Sequence, residues 1–393
     1  MQKEQVMNHA NVIIVGGDHH NGLNLARAFG IHGVTVYAMI VEKKLKKSYI
    51  GKSKYIKKYC IFQTEKDAFD DISCRGYEEG TFIIPYSDGA AQELDRRLDE
   101  FKKRFTVPSI RGKQGAIADL MAKNAQVKFA KAHDIKMADS FLLDLSKNGV
   151  DIPNGWNDFP CILKPNISAN GNKLDIVVCN NKEELTEKLN ILKEKDYPNI
   201  LLQKFLNIDY EVVVVGAIYQ NHDEIDYAVH RVIRKYPDTA GTNSFSCLVT
   251  EKGIIDKCGL LLKKIKDFGF CGLIDVEAFI VNDDIILNEI NWRNSGGGFR
   301  AYSTGFYYPF RWYSDMMGQK IGHNDWKPVD DCYSMVEYTD IRHVFEKRLS
   351  LHRWLADRKK TSNFALKYKG DMKPFFYKYI YHFMGVSHKS TKR

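Results

Sequence analysis

Two carboxylates twelve residues apart, Glu277 and Glu289, are the residues of this chain best placed to do chemistry. Glu277 closes the stretch Gly272-Leu-Ile-Asp-Val-Glu277, and Glu289 lies within Leu287-Asn-Glu-Ile-Asn-Trp-Arg293. Both stretches read as β-strands. Residues i and i+2 of a strand share a face, so Glu289, Asn291 and Arg293 project to one side. A hairpin turning around Asn282-Asp283-Asp284 brings Glu277 to join them. Two carboxylates and an amide oxygen make a hard, oxygen-only donor set that suits Mg²⁺ held together with substrate phosphates. The arginine beside them reads as an anion clamp, and the set points to chemistry on ATP. Charged residues alternating along the solvent face of an ordinary strand are the competing reading, which the remaining elements must decide.

Those elements begin with Val12–Gly16 as a buried strand, Gly16-Gly17 as a tight turn, Asn21–Gly30 as an amphipathic helix and Val34–Met39 as the next strand. This is the β-turn-α-β opening of an open parallel sheet, although the turn lacks the GxGxxG spacing of a dinucleotide site. A second strand-to-helix passage runs Thr81–Tyr86, Ser87-Asp88-Gly89, then helix 90–104. Ligands of such sheets collect at the carboxyl ends of strands, so Asp88, His19 and His20 stand where a small substrate binds. A boundary is expected near Val107-Pro108-Ser109, followed by a helix from Lys113 to His133 that carries Lys123. Phe159–Pro165 is a short strand with Lys164 near its end, and the small-polar loop 166–172 after it reads either as a phosphate cover or as an ordinary hairpin. Strands at 200–206, 211–216 and 225–233 follow, the last bearing Arg231 with Arg234 just beyond. Residues 236–244 read as a flexible loop, 251–268 as a helix, and Gly296–Gly298 as a loop directly after the arginine clamp.

With 393 residues, 44% of them hydrophobic, the chain can bury a large core distributed over two or three domains. No apolar run approaches the length of a transmembrane helix, and the amino-terminal stretch has no signal-peptide pattern. Eight cysteines occur singly, without CxxC or Cys/His metal spacing, which suggests a reduced, cytosolic setting. The net charge of +9 is unevenly placed. From Arg342 to Arg393 there are 14 Lys+Arg against 3 acids, so the tail is strongly basic and the rest of the chain is close to neutral.

Taken in order, the leading sheet, the lysine-bearing helix, the Leu163-Lys164-Pro165 strand, the Gln203-Lys204-Phe205-Leu206 stretch, a basic strand and Glu277…Glu289-x-Asn291-x-Arg293 resemble an ATP-grasp enzyme. The resemblance covers roughly residues 10–315 and is to the branch of carbamoyl-phosphate-synthetase-like and D-aspartate-ligase-like carboxylate–amine ligases. It implies an α/β ATP-grasp fold. Residues 1–108 would form a Rossmann-like pre-ATP-grasp domain, 109–206 the small lid subdomain, 207–325 the large subdomain with the metal site, and 326–393 a basic, aromatic extension. It also implies roles. Lys123 and Lys164 would hold ATP phosphates. Gln203, Lys204 and Leu206 would form the hinge over which adenine lies, with backbone groups of Lys204 and Leu206 reading its edge. Glu211 would meet the ribose, and Glu277, Glu289 and Asn291 would ligate Mg²⁺ or Mn²⁺, with Asp275 as the alternative ligand. Arg293 would steady the transferred phosphate, with Arg231 and Arg234 adding positive charge. Three departures stand out: Gln203 where a glutamate is commoner, one glycine in 166–172 where relatives carry several, and Trp292 where relatives have proline, expected in the pocket floor.

The activity so implied is ATP-dependent amide-bond formation between small-molecule carboxylate and amine substrates through an acyl-phosphate. An amino acid or a cell-wall or surface-polysaccharide precursor is the expected substrate, with Arg231, Arg234, Arg300 and the Gly296–Gly298 loop expected to hold the amino acid's carboxylate. A nucleotide-dependent docking protein and a small-molecule kinase are the alternatives, and a homodimer is compatible with the reading. In the tail, Phe375, Phe376, Tyr377, Tyr379, Tyr381 and Phe383 lie among Lys373, Lys378 and His382. Such interleaving suits an anionic membrane surface or a lipid-linked acceptor, and suits nucleic acid less because no nucleic-acid motif accompanies it. A cytoplasmic protein peripheral to the inner membrane surface is one expectation; a helical extension packed on the body is the other.

Overall fold

The computed structural model describes residues 9–146, 152–153, 156–166, 175–220, 222–238, 241–319 and 326–383. Most of the expected 166–172 cover loop, residues 239–240 of the 237–244 loop and the tail from 384 onward lie outside the described residues.

The chain opens with β1 (Val12–Gly16), α1 (His20–Gly30), β2 (Val36–Val41), β3 (Ile56–Phe62), α2 (Glu65–Cys74), β4 (Phe82–Pro85), α3 (Asp88–Arg96) and α4 (Leu98–Phe101). Its four strands form a parallel sheet in the order β3-β2-β1-β4. The apolar run of β1 is buried on both faces, as a parallel strand covered by helices requires. The expected helix 90–104 begins earlier, at Asp88, where the Ser87 hydroxyl caps it by accepting from the Ala90 amide.

Next come β5 (Ser109–Ile110), α5 (Ala116–Asp119), α6 (Lys123–Ala132), β6 (Ser140–Asp144), β7 (Cys161–Pro165), β8 (Val177–Cys179), α7 (Lys182–Glu194) and β9 (Asn199–Lys204). An antiparallel sheet of order β6-β9-β7-β8 forms the second layer, with α7 packed on it through Leu185, Leu189 and Leu192. The single helix expected from Lys113 to His133 is instead two helices. Gly115 precedes α5 with φ +84, and Ala122 is extended, so Lys123 is the first residue of α6 and not a mid-helix one.

The third part contains β10 (Tyr210–Ile218), β11 (Ile225–Tyr236), β12 (Thr242–Leu248), α8 (Lys252–Asp267), β13 (Phe270–Val281), β14 (Asp284–Asn291), a 3₁₀ segment at Gly298–Thr304 and α9 (Tyr308–Met316). It ends with β15 (Tyr333–Met335), α10 (Glu337–Asp340), α11 (Arg342–Phe345), α12 (Leu351–Lys360), β16 (Thr361–Phe364) and α13 (Lys373–Phe383). The large sheet runs β14-β13-β10-β11-β12-β15-β16, with β5 paired to β13. Much of the expected 236–244 loop is therefore strand: β11 extends to Tyr236 and β12 starts at Thr242.

The C-terminal extension is built into the body. β15 and β16 lengthen the large sheet, and the Glu337 carboxylate accepts from the amides of Ala365, Leu366 and Lys367. Asp371, which is buried, accepts from Arg27 Nε at 3.2 Å, the Ser53 hydroxyl at 2.7 Å and the Lys54 amide at 3.0 Å. Lys378 lies over the rings of Tyr49 and Tyr338, and Tyr381 is buried. Of the basic and aromatic residues that suggested a membrane surface, Lys378 and Tyr381 are engaged with the protein itself, whereas Lys373, Phe376 and Tyr379 are exposed. Among the described residues no helix is long and apolar enough to cross a membrane.

Removing one member of a buried ion pair strands the other, at a cost of about 3–5 kcal/mol. Asp371→Asn should lower the thermal unfolding midpoint by several degrees, and truncation after residue 341 should leave an unstable chain. A folded truncation with an unchanged midpoint, read by circular dichroism, would contradict an integral role for the extension.

Candidate functional site

Strands β13 and β14 are joined by a two-residue turn in which Asn282 and Asp283 have φ +48 and +63, the conformation of a type I′ hairpin. That turn sets the register: Asp275 faces Asn291 and Glu277 faces Glu289. Directly opposed residues share a face, so the two carboxylates and the Asn291 amide sit together. The register slips between Glu277 and Ala278, leaving Asn288 as a bulge residue. Its side chain consequently turns toward the same place: Oδ1 accepts from Lys164 Nζ at 3.2 Å, and Nδ2 lies 3.5 Å from Glu277 Oε2. Asn288 is a site residue that strict strand alternation hides.

Helix α6 delivers Lys123. Its Gln126 side chain pairs with the free edge of β14, donating to the Ile290 carbonyl at 2.9 Å and accepting from the Ile290 amide at 2.8 Å. One turn back, Lys123 Nζ donates to Glu289 Oε1 at 2.9 Å. From the other sheet, Lys164 on β7 reaches Gln203 Oε1 at 2.7 Å as well as Asn288. Burial, then the charge of Lys123, lowers the Lys164 amine to a pKa of about 8. Gln203 in turn donates from Nε2 to Ser140 Oγ at 2.9 Å. Its amide thus holds the lysine through a dipole, where a glutamate would add a full charge.

The hinge is only partly as expected. The Lys204 amide is already engaged by the Asp139 carbonyl at 2.9 Å, and its ammonium pairs with Asp158 at 3.1 Å. A nucleotide base meeting Lys204 would therefore not use that N–H. Leu206 follows the end of β9 and is half-buried. Glu211 is buried on β10, on the face shared with Glu277, and forms an ion pair with Lys235, a cation absent from the expected set.

The arginines separate. Arg293 Nε donates to Asp88 Oδ1 at 2.7 Å, and Nη2 reaches Asn291 Oδ1 at 3.2 Å. Burial opposes its charge, but Asp88 outweighs that, and the guanidinium pKa is raised. Asp88, at the start of α3, links the leading part of the chain to the end of β14. Arg231 does not come to the site. It is paired with Val212, whose side chain enters the core on the opposite face, and its guanidinium lies 4.2 Å from the centre of the Tyr210 ring. Arg234 is likewise diverted: Asp340 binds it twice, at 2.8 and 3.1 Å, and Asp357 binds it at 2.6 Å. Its charge fastens the C-terminal extension.

Two further expectations change. Asp275 shares the Glu277 face but is buried, accepting from the Ser295 hydroxyl and from Asn291 Nδ2. Burial raises its pKa. It therefore orients the Asn291 amide with Oδ1 turned away from it. Trp292 is fully buried and packs edge-on against Phe129 and Phe270, in the core beneath the strand rather than in a pocket floor. His20, from the first turn of α1, contacts the Gly296 carbonyl at 3.2 Å and the Tyr338 hydroxyl at 2.9 Å. That places the first βα loop against the glycine loop after Arg293.

A lysine pair from two elements, two opposed carboxylates and an amide oxygen, set between the second sheet and the large sheet, make a candidate cleft for nucleotide phosphates and a metal. The protein-family comparison names the class: the ATP-grasp domain matches residues 128–303. Residues 128–303 thus match an ATP-grasp domain, a class of domain that uses ATP and Mg²⁺. Formate-dependent phosphoribosylglycinamide formyltransferase of Prochlorococcus marinus is 24% identical over 221 residues, which are 54% of this chain and 53% of that protein. D-alanine–D-alanine ligase of Bacillus velezensis is 26% identical over 181 residues, 42% of this chain and 47% of that one. The chain thus spans about half the length of these curated relatives. Among solved structures, N5-carboxyaminoimidazole synthetase from Staphylococcus aureus complexed with ADP has TM-score 0.61 at 17% identity, covering 80% of this chain and 78% of that one. At that identity the likeness establishes the ATP-grasp fold.

A phosphate binds the charged form of Lys164 and raises its pKa, so binding takes up a proton wherever the free amine is partly neutral. ADP affinity should be full below pH 8, fall as pH rises through about 8, and lose at most about tenfold per unit. Gln203→Glu should move that fall to higher pH. Titration calorimetry from pH 6.5 to 9.5 reads both; a flat profile in the parent chain would show that Lys164 does not meet the phosphates.

Proposed function

We propose that this protein is an ATP-dependent carboxylate–amine ligase. The observation that carries the reading is the meeting, over one face of the large sheet, of Lys123 from α6, Lys164 from β7, and Glu277, Glu289, Asn291 and Arg293 from the β13–β14 hairpin and its end. The ATP-grasp domain supports it, as do relatives that include a D-alanine–D-alanine ligase.

In the proposed reaction, an oxygen of the acid substrate attacks the γ-phosphorus of ATP, and the bond to the β-phosphate oxygen breaks to release ADP. The amine nitrogen then attacks the acyl carbon, the C–O bond to phosphate breaks, and the amine proton is lost. Such transfers are accelerated by positioning and by neutralising negative charge. Lys123 and Lys164 would hold the phosphates. Arg293, pinned by Asp88, would steady the acyl-phosphate and the developing phosphate.

The donor set fits Mg²⁺. A metal held by Glu277, Glu289 and Asn291 would complete its shell with phosphate oxygens and water, as Mg²⁺ bound by few protein oxygens does. When bound, Mg²⁺ supplies charge stabilisation on the phosphates. For one substrate we propose an amino acid, a choice supported by the D-alanine–D-alanine ligase relative. A lipid-linked acceptor draws no support from the packed extension.

Glu289→Gln and Asn291→Ala should each cut acceptor-dependent ADP release by 10²-fold or more, on the order of losing a key charge-stabilising group, with an unchanged circular dichroism spectrum. Product mass from wild-type protein, Mg-ATP and a panel of amino acids and amines separates the alternatives. A condensed product supports a ligase, a phosphorylated product a kinase, and nucleotide binding without ADP a docking protein. Full ADP release by either variant would overturn the metal assignment.

A further inference from the structure

The row of residues that carries Glu289 and Glu277 continues across the large sheet. Glu277 faces Val213 on β10, and Val213 faces His230 on β11, so His230 shares the face of the two carboxylates. Two strand spacings, about 10 Å, separate His230 from Glu277. Over this part of the sheet lies Arg300, from the 3₁₀ segment that follows the glycine loop.

Arg300 is 3% exposed and His230 is fully buried. Arg300 Nη1 donates to Ser246 Oγ at 2.6 Å and Ser334 Oγ at 3.1 Å, and Nη2 donates to the Asn243 carbonyl at 2.9 Å. Every one of those acceptors is neutral. Among the described residues no carboxylate forms a salt bridge with Arg300, in contrast to Arg234 with its two. Asp275 acts on it through space but is bonded to Ser295 and Asn291. Five buried polar atoms of Arg300 and of two residues linked to it have no hydrogen-bond partner: Arg300 Nε, both ring nitrogens of His230, on which the Arg300 charge acts, and both side-chain polar atoms of Asn243, whose carbonyl accepts from Arg300. A buried cation without a counter-charge, amid unmade hydrogen bonds, is costly unless something joins it. Burial, with the Arg300 charge, keeps His230 neutral, so its ring offers one donor and one acceptor.

We infer that Arg300, His230 and Asn243 form a subsite for an anionic group. The acid substrate would then carry a second anion, carboxylate or phosphate, displaced along the sheet from the carboxyl group being activated. This deepens the ligase reading and rests on it. The acid's reacting end lies at Glu277 and Asn291, and its far end supplies the charge that Arg300 lacks. The five atoms are shielded from solvent, so exchange requires the Gly296–Gly298 loop, which leads into the Arg300 segment, to lift. Arg300 acts here in binding and selection, away from the reacting atoms.

The test uses the full chain saturated with Mg-ADP, with binding of glutarate, adipate, 3-phosphoglycerate and hexanoate measured by calorimetry and thermal shift. A dianionic acid should bind at least tenfold tighter than hexanoate. Whichever of adipate or 3-phosphoglycerate binds better identifies carboxylate or phosphate as the second group. Asn243→Ala and Arg300→Lys should each erase most of that preference while leaving Mg-ADP binding intact. Equal binding of hexanoate and every dianion by the wild type would overturn the subsite, even if Arg300 variants fail to fold. Undiminished preference in folded Asn243→Ala and Arg300→Lys proteins would overturn it as well. Mg-ADP binding and acceptor-dependent ADP release are read separately, so loss of the subsite leaves the ligase reading standing, and loss of ADP release does not by itself remove the subsite.

Discussion

Two carboxylates facing each other across a β-ladder repel, and this site is arranged around that repulsion. Like charges directly opposed on neighbouring strands weaken the pairing, yet the register sets Glu277 against Glu289. The surrounding elements bring the compensation. α6 supplies Lys123, β7 supplies Lys164, and the bulge at Asn288 adds an amide that touches both Lys164 and Glu277. A cation or a metal–phosphate complex can satisfy such a pair; an apolar neighbour cannot. The repulsion thus creates a place that is stable only with positive charge in it, which is the electrostatic condition for holding a nucleotide through its metal.

Delivery of those cations depends on backbone devices remote from the charges. Gln126 binds the open edge of β14 as an additional strand residue would, which fixes α6 lengthwise and puts Lys123 against Glu289. Gln203 bridges Lys164 and Ser140, so β9 and β6 hold the second lysine from behind. Asp88 starts α3, the helix after the leading sheet's β4, but ends on Arg293, and His20 of α1 ends on Gly296. The leading part of the chain therefore does more than precede the large sheet; through Asp88 it sets the position of the arginine beside the Asn291 amide.

How much of this could be read beforehand depends on the range of the interaction. The Glu277–Glu289 pairing was legible because a two-residue turn fixes register locally, and Asn282 and Asp283 are residue types that accept its positive φ. The parallel opening sheet was legible from its apolar runs. Asn288 was not, since a bulge breaks the alternation from which faces are inferred. Irregular pairing between Val232 and Lys235 likewise separated Arg231, Arg234 and Lys235 into three environments. Arg234 is held by Asp340 and Asp357, more than a hundred residues away, and no local pattern announces such partners. The base-and-aromatic tail left two readings open for the same reason: composition gives the chemistry of Lys378 and Tyr381 but not the surface they meet.

Arg234 and Arg300 show what partners decide. Both guanidinium groups lie against β12, one over the Phe245 ring and one bonded to Ser246. Arg234 meets Asp340 and Asp357, its charge is cancelled, and the outcome is a fixed C-terminal extension. Arg300 meets two serine hydroxyls and a carbonyl, which orient a guanidinium without neutralising it. Burial without a counter-ion pulls its pKa down to about 10, the opposite direction from Arg234, where burial is outweighed by Asp340. Where a fold needs only cohesion, an acidic partner from its own chain serves best. A cation held in place by neutral groups keeps its attraction for a charge that the chain does not provide, and the surface that orients it is already complete before that charge arrives.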